Sequence, residues 1–193
     1  MSRQKKTLQE LGRLSPAAYA ATDKLPLSLV LDNIRSANNV GSLFRTADCF
    51  ALRHVYLCGI TATPPHRDIL KTALGATGTV DWSYHEDCAT LIQDLLRAGP
   101  STTESGLANA SQVVALEQTQ RSTPLTAYTA PPATPLLLVV GNEVQGVAQT
   151  VIDQCHQTLE IEQFGTKHSL NVAVSAGIAV WELSRQLRIL GGR

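Results

Sequence analysis

Aromatic side chains are scarce, at 5% of 193 residues, too few for base-stacking platforms to be the main mode of any nucleic-acid contact. Neither sign of charge is in excess: 16 Lys and Arg face 16 Asp and Glu, which counts against a uniformly basic nucleic-acid-binding surface. No apolar run approaches the ~20 residues needed to cross a bilayer, so no membrane partner is expected. The opening residues MSRQKKTLQE lack a following apolar stretch and do not read as a secretory signal, so a cytoplasmic location is the default expectation. The cysteines (Cys49, Cys58, Cys88, Cys155) form no CxxC pair, and two sit inside apolar runs as small buried hydrophobes, so zinc and disulfide chemistry are not expected. His54, His66, His85 and His156 show no ligand spacing, and no metal is expected. A GxGxxG fingerprint is absent, which leaves a nicotinamide cofactor unsupported.

What is present is a chain long enough for one domain with a sizeable core, 44% hydrophobic and 17% charged. Basic residues gather at the ends. Arg3, Lys5, Lys6, Arg13 and Lys24 face only Glu10 and Asp23, while Arg185, Arg188 and Arg193 face only Glu182. If both termini lie on one face, a basic patch survives within a neutral total. Residues 1–26 read as a short basic extension and 27–193 as a single domain.

Strand and helix patterns alternate. LSLVLD (Leu27 to Asp32), HVYLCG, TVDWSY, VVALE, LLLVV (Leu136 to Val140) and TLEIE read as strands. Between them, a helix capped by Asn38 or Asn39 carries Leu43, Phe44, Ala47 and Phe50 at helical spacing. Others cover Ile69 to Leu74, Glu86 to Arg97, a segment after Gly146, and a long stretch from about Ser169 to Leu190. Gly99 to Ser111 and the Pro124–Pro135 region read as loops. The alternation predicts an α/β fold with a mostly parallel sheet covered on both faces by helices.

Three places depart from what a core requires. In NNVGSLFRTA, Asn39 and Arg45 lie six residues apart, which is not one helical face, so Asn39 works from the cap while Arg45 projects from the second turn. In VVGNEVQGV, an apolar strand ends at Gly141, followed by Asn142, Glu143 and Gly146. Ligands of open α/β sheets bind outside such strand ends, and glycines there let backbone approach a ligand. In FGTKHSLNVAVSAGIAVWEL, Gly165 turns the chain and Ser169 and Asn171 open a helix carrying Ala173, Ser175, Ala176 and Gly177. Gly177 costs about 1 kcal/mol relative to alanine, a cost that predicts another backbone packed against it.

Together these segments resemble the SpoU (TrmH-like) branch of the SPOUT RNA methyltransferases. Asn39 and Arg45 match that family's N-x5-R motif, Gly141, Glu143 and Gly146 its GxExxG motif, and Gly165, Ser169, Leu170, Asn171 and Val172 its G-x3-SLNV motif. KTALGATGTVDW looks like the family's sequence between the first two. The resemblance implies a sheet whose C-terminal part is tied in a deep trefoil knot, against the usual rule of unknotted chains. It implies S-adenosylmethionine held mainly by backbone groups of the knot loops, at Leu138, Val140, Gly141, Asn142, Glu143, Gly146, Ile161, Gly165, Ser169 and Leu170. It further implies a homodimer with the active site at its interface, and methylation of a ribose 2′-hydroxyl in structured transfer or ribosomal RNA. Arg45 is then the central catalytic residue, with Asn39, Glu143, Ser169 and Asn171 orienting it and the ribose. The family proposal makes that arginine a base; a charged Arg45 that holds a phosphate and steadies the developing alkoxide is the physically easier role. His168 beside Ser169 is a second candidate base. Methylation of a base atom, or a non-catalytic RNA-binding relative, are the alternatives.

Overall fold

The computed structural model describes residues 4–7, 9–97, 112–132 and 134–190. Its centre is one fully parallel sheet of seven strands. They are β1 (Leu25–Asp32), β2 (Leu52–Cys58), β3 (Trp82–His85), β4 (Gln112–Leu116), β5 (Thr123–Pro124), β6 (Leu136–Val140) and β7 (Gln157–Glu160), in the order β3-β2-β1-β6-β4-β7-β5. The helices are α1 (Pro16–Ala20), α2 (Ala37–Cys49), α3 (Arg67–Ala73), α4 (Cys88–Arg97), α5 (Gln149–Ile152) and α6 (Val172–Leu190).

β6 is apolar at every position because both of its faces are covered, as parallel sheets require. Leu136, Leu138 and Val140 join Leu27, Leu29 and Leu31 of β1 in a core closed by α2, α3 and α6. Leu137 and Val139 face the other way, with Val30, Tyr56 and Cys58, against α4 and α5. The period-two alternation thus splits each strand between two cores.

Several local boundaries differ from the sequence reading. Ser36 caps α2, its hydroxyl accepting the Asn39 N–H at 3.4 Å; Asn39 lies inside the first turn with its side chain drawn elsewhere. The segment after Gly146 forms a single turn of four residues. The long C-terminal helix starts three residues past Ser169. Asn171 caps it, its Oδ1 accepting from Ala173 N at 2.9 Å and Val174 N at 3.3 Å. Pro124 sits in an edge strand, where a missing N–H is tolerated. Gly177 meets nothing within 4 Å among the described residues, so none of them supplies the predicted close backbone. The expected loop Gly99 to Ser111 lies outside the described residues. No helix among the described residues is long and apolar enough to cross a membrane.

α1 and the last turn of α6 converge on α2. The Tyr19 hydroxyl of α1 donates to Asp48 O at 3.3 Å, and Arg188 of α6 donates to Phe50 O at 3.5 Å. Both contacts fall on the last turn of α2, so Lys24, whose ammonium lies 3.1 Å from the centre of the Tyr19 ring, and Arg188 share a corner.

One polar cluster carries a pH consequence. On β2 and β3, Ser83 Oγ lies 3.0 Å from His54 Nε2 and 2.9 Å from His85 Nε2, and Tyr56 packs between the rings. Burial pushes His54 down to about 4, against the pull of Asp81. Between pH ~6.5 and ~4 the unfolded chain therefore binds a proton at this position that the folded chain refuses. Stability is expected to fall as pH drops through that window, by about 2 kcal/mol once solvent screening is allowed for. Denaturant titrations across pH 4–7 check this: His54→Gln, which keeps a hydrogen-bonding side chain but cannot titrate, is expected to flatten most of the slope.

Candidate active site

The carboxyl ends of β4, β6 and β7 open into a cleft of about 450 Å³. Gly141 ends β6, and a Cβ there would sit 2.2 Å from both Gly146 C and Val147 N. The turn can close on itself only because that side chain is missing. Asn142 stabilises it: its N–H donates to Gly146 O at 3.0 Å, Gly146 N returns a bond at 2.9 Å, and Asn142 Oδ1 accepts from Val144 N and Gln145 N at 2.9 and 3.1 Å. Asn142 Nδ2 reaches Asn33 O at 2.7 Å, and buried Asp32 accepts from Ala148 N at 2.9 Å. The turn is therefore bolted to the end of β1 on both sides.

Glu143 links this turn to α2. Its carboxylate accepts the N–H groups of Arg35 and Ser36 at 2.9 and 3.0 Å and the Asn39 amide at 2.8 Å. Burial by itself would push this carboxyl up. The bonds from Arg35, Asn39 and Ser36, with its own N–H, outweigh that and hold it below the usual carboxylate range. The arrangement is thus intact at neutral pH and weakens only as pH falls through that lowered value. Asn39 Oδ1 in turn accepts from Asn171 Nδ2 at 3.1 Å. One chain of hydrogen bonds, Glu143–Asn39–Asn171, therefore ties the start of α2 to two segments each more than a hundred residues further along the chain.

Of the residues expected around the cofactor, Val140, Gly141, Asn142, Glu143, Gly146, Ile161, Ser169 and Leu170 line this cleft, and so does Asn171. Two do not. Leu138 is fully buried, its side chain committed to the core beneath the sheet. Gly165 lies on the loop but not on the cleft wall, with open space where a Cβ would be. The sequence reading missed Glu117 and Gln118, just past β4, and Gln163, all on the wall. No motif marked them; the only available signal was position, at the carboxyl end of a strand beside one that carries a motif. His168 contributes its carbonyl, not its ring: Gln118 Nε2 donates to it at 3.3 Å.

Arg45 is not in the cleft. It projects from α2 into a separate hollow, lined also by Ser42, Thr46, Cys49, Phe50, Lys71, Thr72 and Leu74. Six residues of helix from Asn39 turn its side chain well away from the cleft mouth. Among the described residues it makes no hydrogen bond or ion pair. The hollow holds two cations and no carboxylate. The cleft is the opposite: Glu117, Glu143 and Glu160 line it, and among the described residues no Lys, Arg or His does.

The sequence profile of the SpoU rRNA Methylase family matches residues 26–181. The chain belongs to the SpoU family. A 23S rRNA (guanosine-2'-O-)-methyltransferase RlmB of Nitrosomonas europaea is 31% identical over 83% of this chain and 56% of its own length. Its counterpart in Neisseria meningitidis is 28% identical over 83% of this chain and 59% of its own. The chain thus spans less than two thirds of the length of these curated relatives. Among solved structures, one described as giving insight into 2-OH methylation of C/U34 on tRNA superposes with a TM-score of 0.68 at 25% identity, covering 86% of this chain and 97% of that one. An AdoMet-bound rRNA methyltransferase from Sinorhizobium meliloti shares the fold at a TM-score of 0.74 and 24% identity, over 91% and 62% of the two chains. The fold is thus shared both with a chain covered almost throughout its length and with one of which this chain spans less than two thirds.

Proposed function

We propose that this chain is an S-adenosylmethionine-dependent RNA methyltransferase that modifies a ribose 2′-hydroxyl of transfer or ribosomal RNA. The observation that carries the proposal is the cleft, walled by the second and third family motifs, tied to the first through the Glu143–Asn39 bond, and lined among the described residues by three carboxylates and no cation. Its volume suits a cofactor-sized ligand, and its charge suits a cationic one. The backbone N–H groups from Glu162 to Leu170 donate to nothing among the described residues, which leaves them free for the cofactor's polar edges. When bound, S-adenosylmethionine supplies an activated methyl group on a positively charged sulfur.

The residues of the chain do the rest. Gly141, Asn142 and Gly146 shape the turn on one side of the cofactor, and Ile161, Ser169 and Leu170 the other. Glu143 holds Asn39 and the start of α2, and Asn171 completes the link. Arg45 grips a phosphodiester beside the target ribose, with Lys71 across the hollow, and its positive charge steadies the negative charge developing on the 2′-oxygen, whose proton passes to solvent water. α2 then forms the track for the RNA, with the methyl donor near its first turn and the Lys24–Arg188 corner at its last. In this reading residues 1–26 are a basic arm on a single domain, 27–193, that works in the cytoplasm. The crossing of α6 back from the β7 end of the sheet to pack on α2 and β1 supports the knotted topology of the family.

A homodimer completes the site. Val174, Ile178 and Trp181 form an exposed apolar stripe on α6, at 52%, 41% and 56% exposure, beside Gly177, which has open space over it. A second copy seated there would meet Gly177 together with this stripe. It would also bring a cleft of one protomer towards the Arg45 hollow of the other. Sedimentation at micromolar concentration is expected to show a dimer, and a monomer would remove this part of the proposal.

Calorimetric titration of the protein with S-adenosylmethionine, followed by nucleoside analysis of RNA incubated with both, tests the whole. The expected product is a 2′-O-methylated nucleoside. A base-methylated product, or no binding of the cofactor, overturns it.

A further inference from the structure

β4 delivers two side chains to the cleft that belong to no motif. Glu117 Oε2 accepts the N–H of Val147 at 2.9 Å, and its Oε1 accepts the N–H of Gln118 at 2.9 Å. The turn rests directly on this carboxylate: a Cβ on Gly146 would lie 2.2 Å from Oε2, at a backbone φ of +71° that already favours glycine. Gln118 reaches the other way. Its bond to His168 O is, among the described residues, the one hydrogen bond that ties segment 162–170 to the rest of the chain. The backbone N–H of Glu117 meanwhile donates to Leu159 O at 2.9 Å, which keeps the end of β7 in register.

We propose that Glu117 and Gln118 act as a two-armed clasp that positions both cofactor loops from the end of one strand. Glu117 sets the height of the 142–147 turn, and Gln118 draws the 162–170 loop in against it. Both are positioning residues, since neither is needed to touch the reacting atoms. The proposal rests on the cofactor reading of the cleft. Its physical basis is the asymmetry of the two loops. The turn is stitched by its own backbone and by Asn142, so Glu117 adds a charge-assisted bond to a structure already formed. The longer loop has no internal backbone bonds, so its entropy is restrained chiefly by Gln118 and by whatever ligand it closes on. Ordering this loop beforehand removes part of the cost of binding.

The test uses the full-length protein with Glu117→Ala, Glu117→Gln and Gln118→Ala. Calorimetry with S-adenosylmethionine is paired with amide hydrogen exchange and limited tryptic cleavage of the free proteins. Glu117→Ala is expected to raise the Kd about tenfold and Gln118→Ala about threefold, with kcat at saturating cofactor and RNA changed less than about threefold. Glu117→Gln is expected to fall between wild type and Glu117→Ala, because one amide oxygen can replace only one of the two acceptor contacts. Exchange is expected to quicken at Val144 and Val147 in the Glu117 variants, and tryptic cleavage after Lys167 to quicken in Gln118→Ala, with exchange in β1 and β6 unchanged. Wild-type affinity in both alanine variants overturns the clasp, as does faster exchange throughout β1 and β6, which would mark a general loss of stability. If wild type itself binds no S-adenosylmethionine, the cofactor reading fails, while the exchange and cleavage patterns still decide whether the clasp exists.

Discussion

Methyl transfer is expected to fall at least ~100-fold when Arg45 is replaced by alanine, while S-adenosylmethionine affinity stays within about twofold. The first figure follows from the size of effect seen when one group that stabilises developing charge is removed. The second follows from geometry: Arg45 lines its own hollow and shares none of its walls with the cleft. Arg45→Lys is expected to recover little, because a point charge cannot reproduce the planar two-pronged grip of a guanidinium on a phosphate. Lys71 behaves differently. With no part in steadying the ribose oxygen, it contributes to RNA affinity, so Lys71→Ala raises KM for RNA and reduces the salt dependence of binding by about one phosphate contact. Single-turnover kinetics at saturating RNA separate the two residues. Wild-type turnover in Arg45→Ala would remove it from the catalytic set.

Gly41→Ala is expected to lower stability by about 2–3 kcal/mol, against the usual sign for this substitution within a helix. Alanine in place of a mid-helix glycine ordinarily gains about 1 kcal/mol. Here the added Cβ would lie 2.0 Å from Thr72 Oγ1 and 2.4 Å from Ile69 O. The second neighbour is backbone and cannot rotate aside, so α3 must move as a body. Thr72 also bonds Asn38 O at 3.0 Å, a contact that ties α3 to the start of α2 and that such a shift would break. A melting temperature lower by roughly 5–10 °C is the expected reading. The hollow between the two helices changes shape in the same step, so RNA affinity drops while cofactor affinity holds. A melting temperature at or above that of wild type would show that the two helices are not in contact at this point.

The fold was legible where a single pattern dominated. The uninterrupted apolar run Leu136–Val140 could only be a strand covered on both faces, and Val40, Leu43, Phe44 and Ala47 keep the period of one helical face. The motifs located the cleft because glycine at 141 and 146 answers a backbone need that any chain with this turn must meet. What stayed hidden depended on tertiary context. Asn39 looked like a cap, but Ser36 is three residues earlier with an equally suitable hydroxyl, and the pull of Glu143 on Asn39 is set by a partner 104 positions away. The resemblance put Leu138 among the residues whose backbone holds the cofactor, and strand alternation sends its side chain below the sheet. Glu117 and Gln118 carried no local sign at all, since their role exists only once β4 lies beside β6. Gly177 was read as a site of close approach; among the described residues nothing meets it.

The strand order has a bearing on how the molecule comes to be made. β6 is flanked by β1 on one side and β4 on the other, so both neighbours exist before it does. β1 and β2 can pair soon after they leave the ribosome, but the free edge of β1, with apolar side chains on both faces, must wait for Leu136–Val140. At ordinary synthesis rates that delay is roughly 5–20 s. During it the nascent chain presents an unpaired, strongly hydrophobic edge of the kind that recruits other strands. Closure then depends on a late, long-range parallel pairing, the slowest class of contact for a chain to find. Yield in a cell is thus governed less by the final stability of the sheet than by protection of one strand edge while its central partner is still being translated.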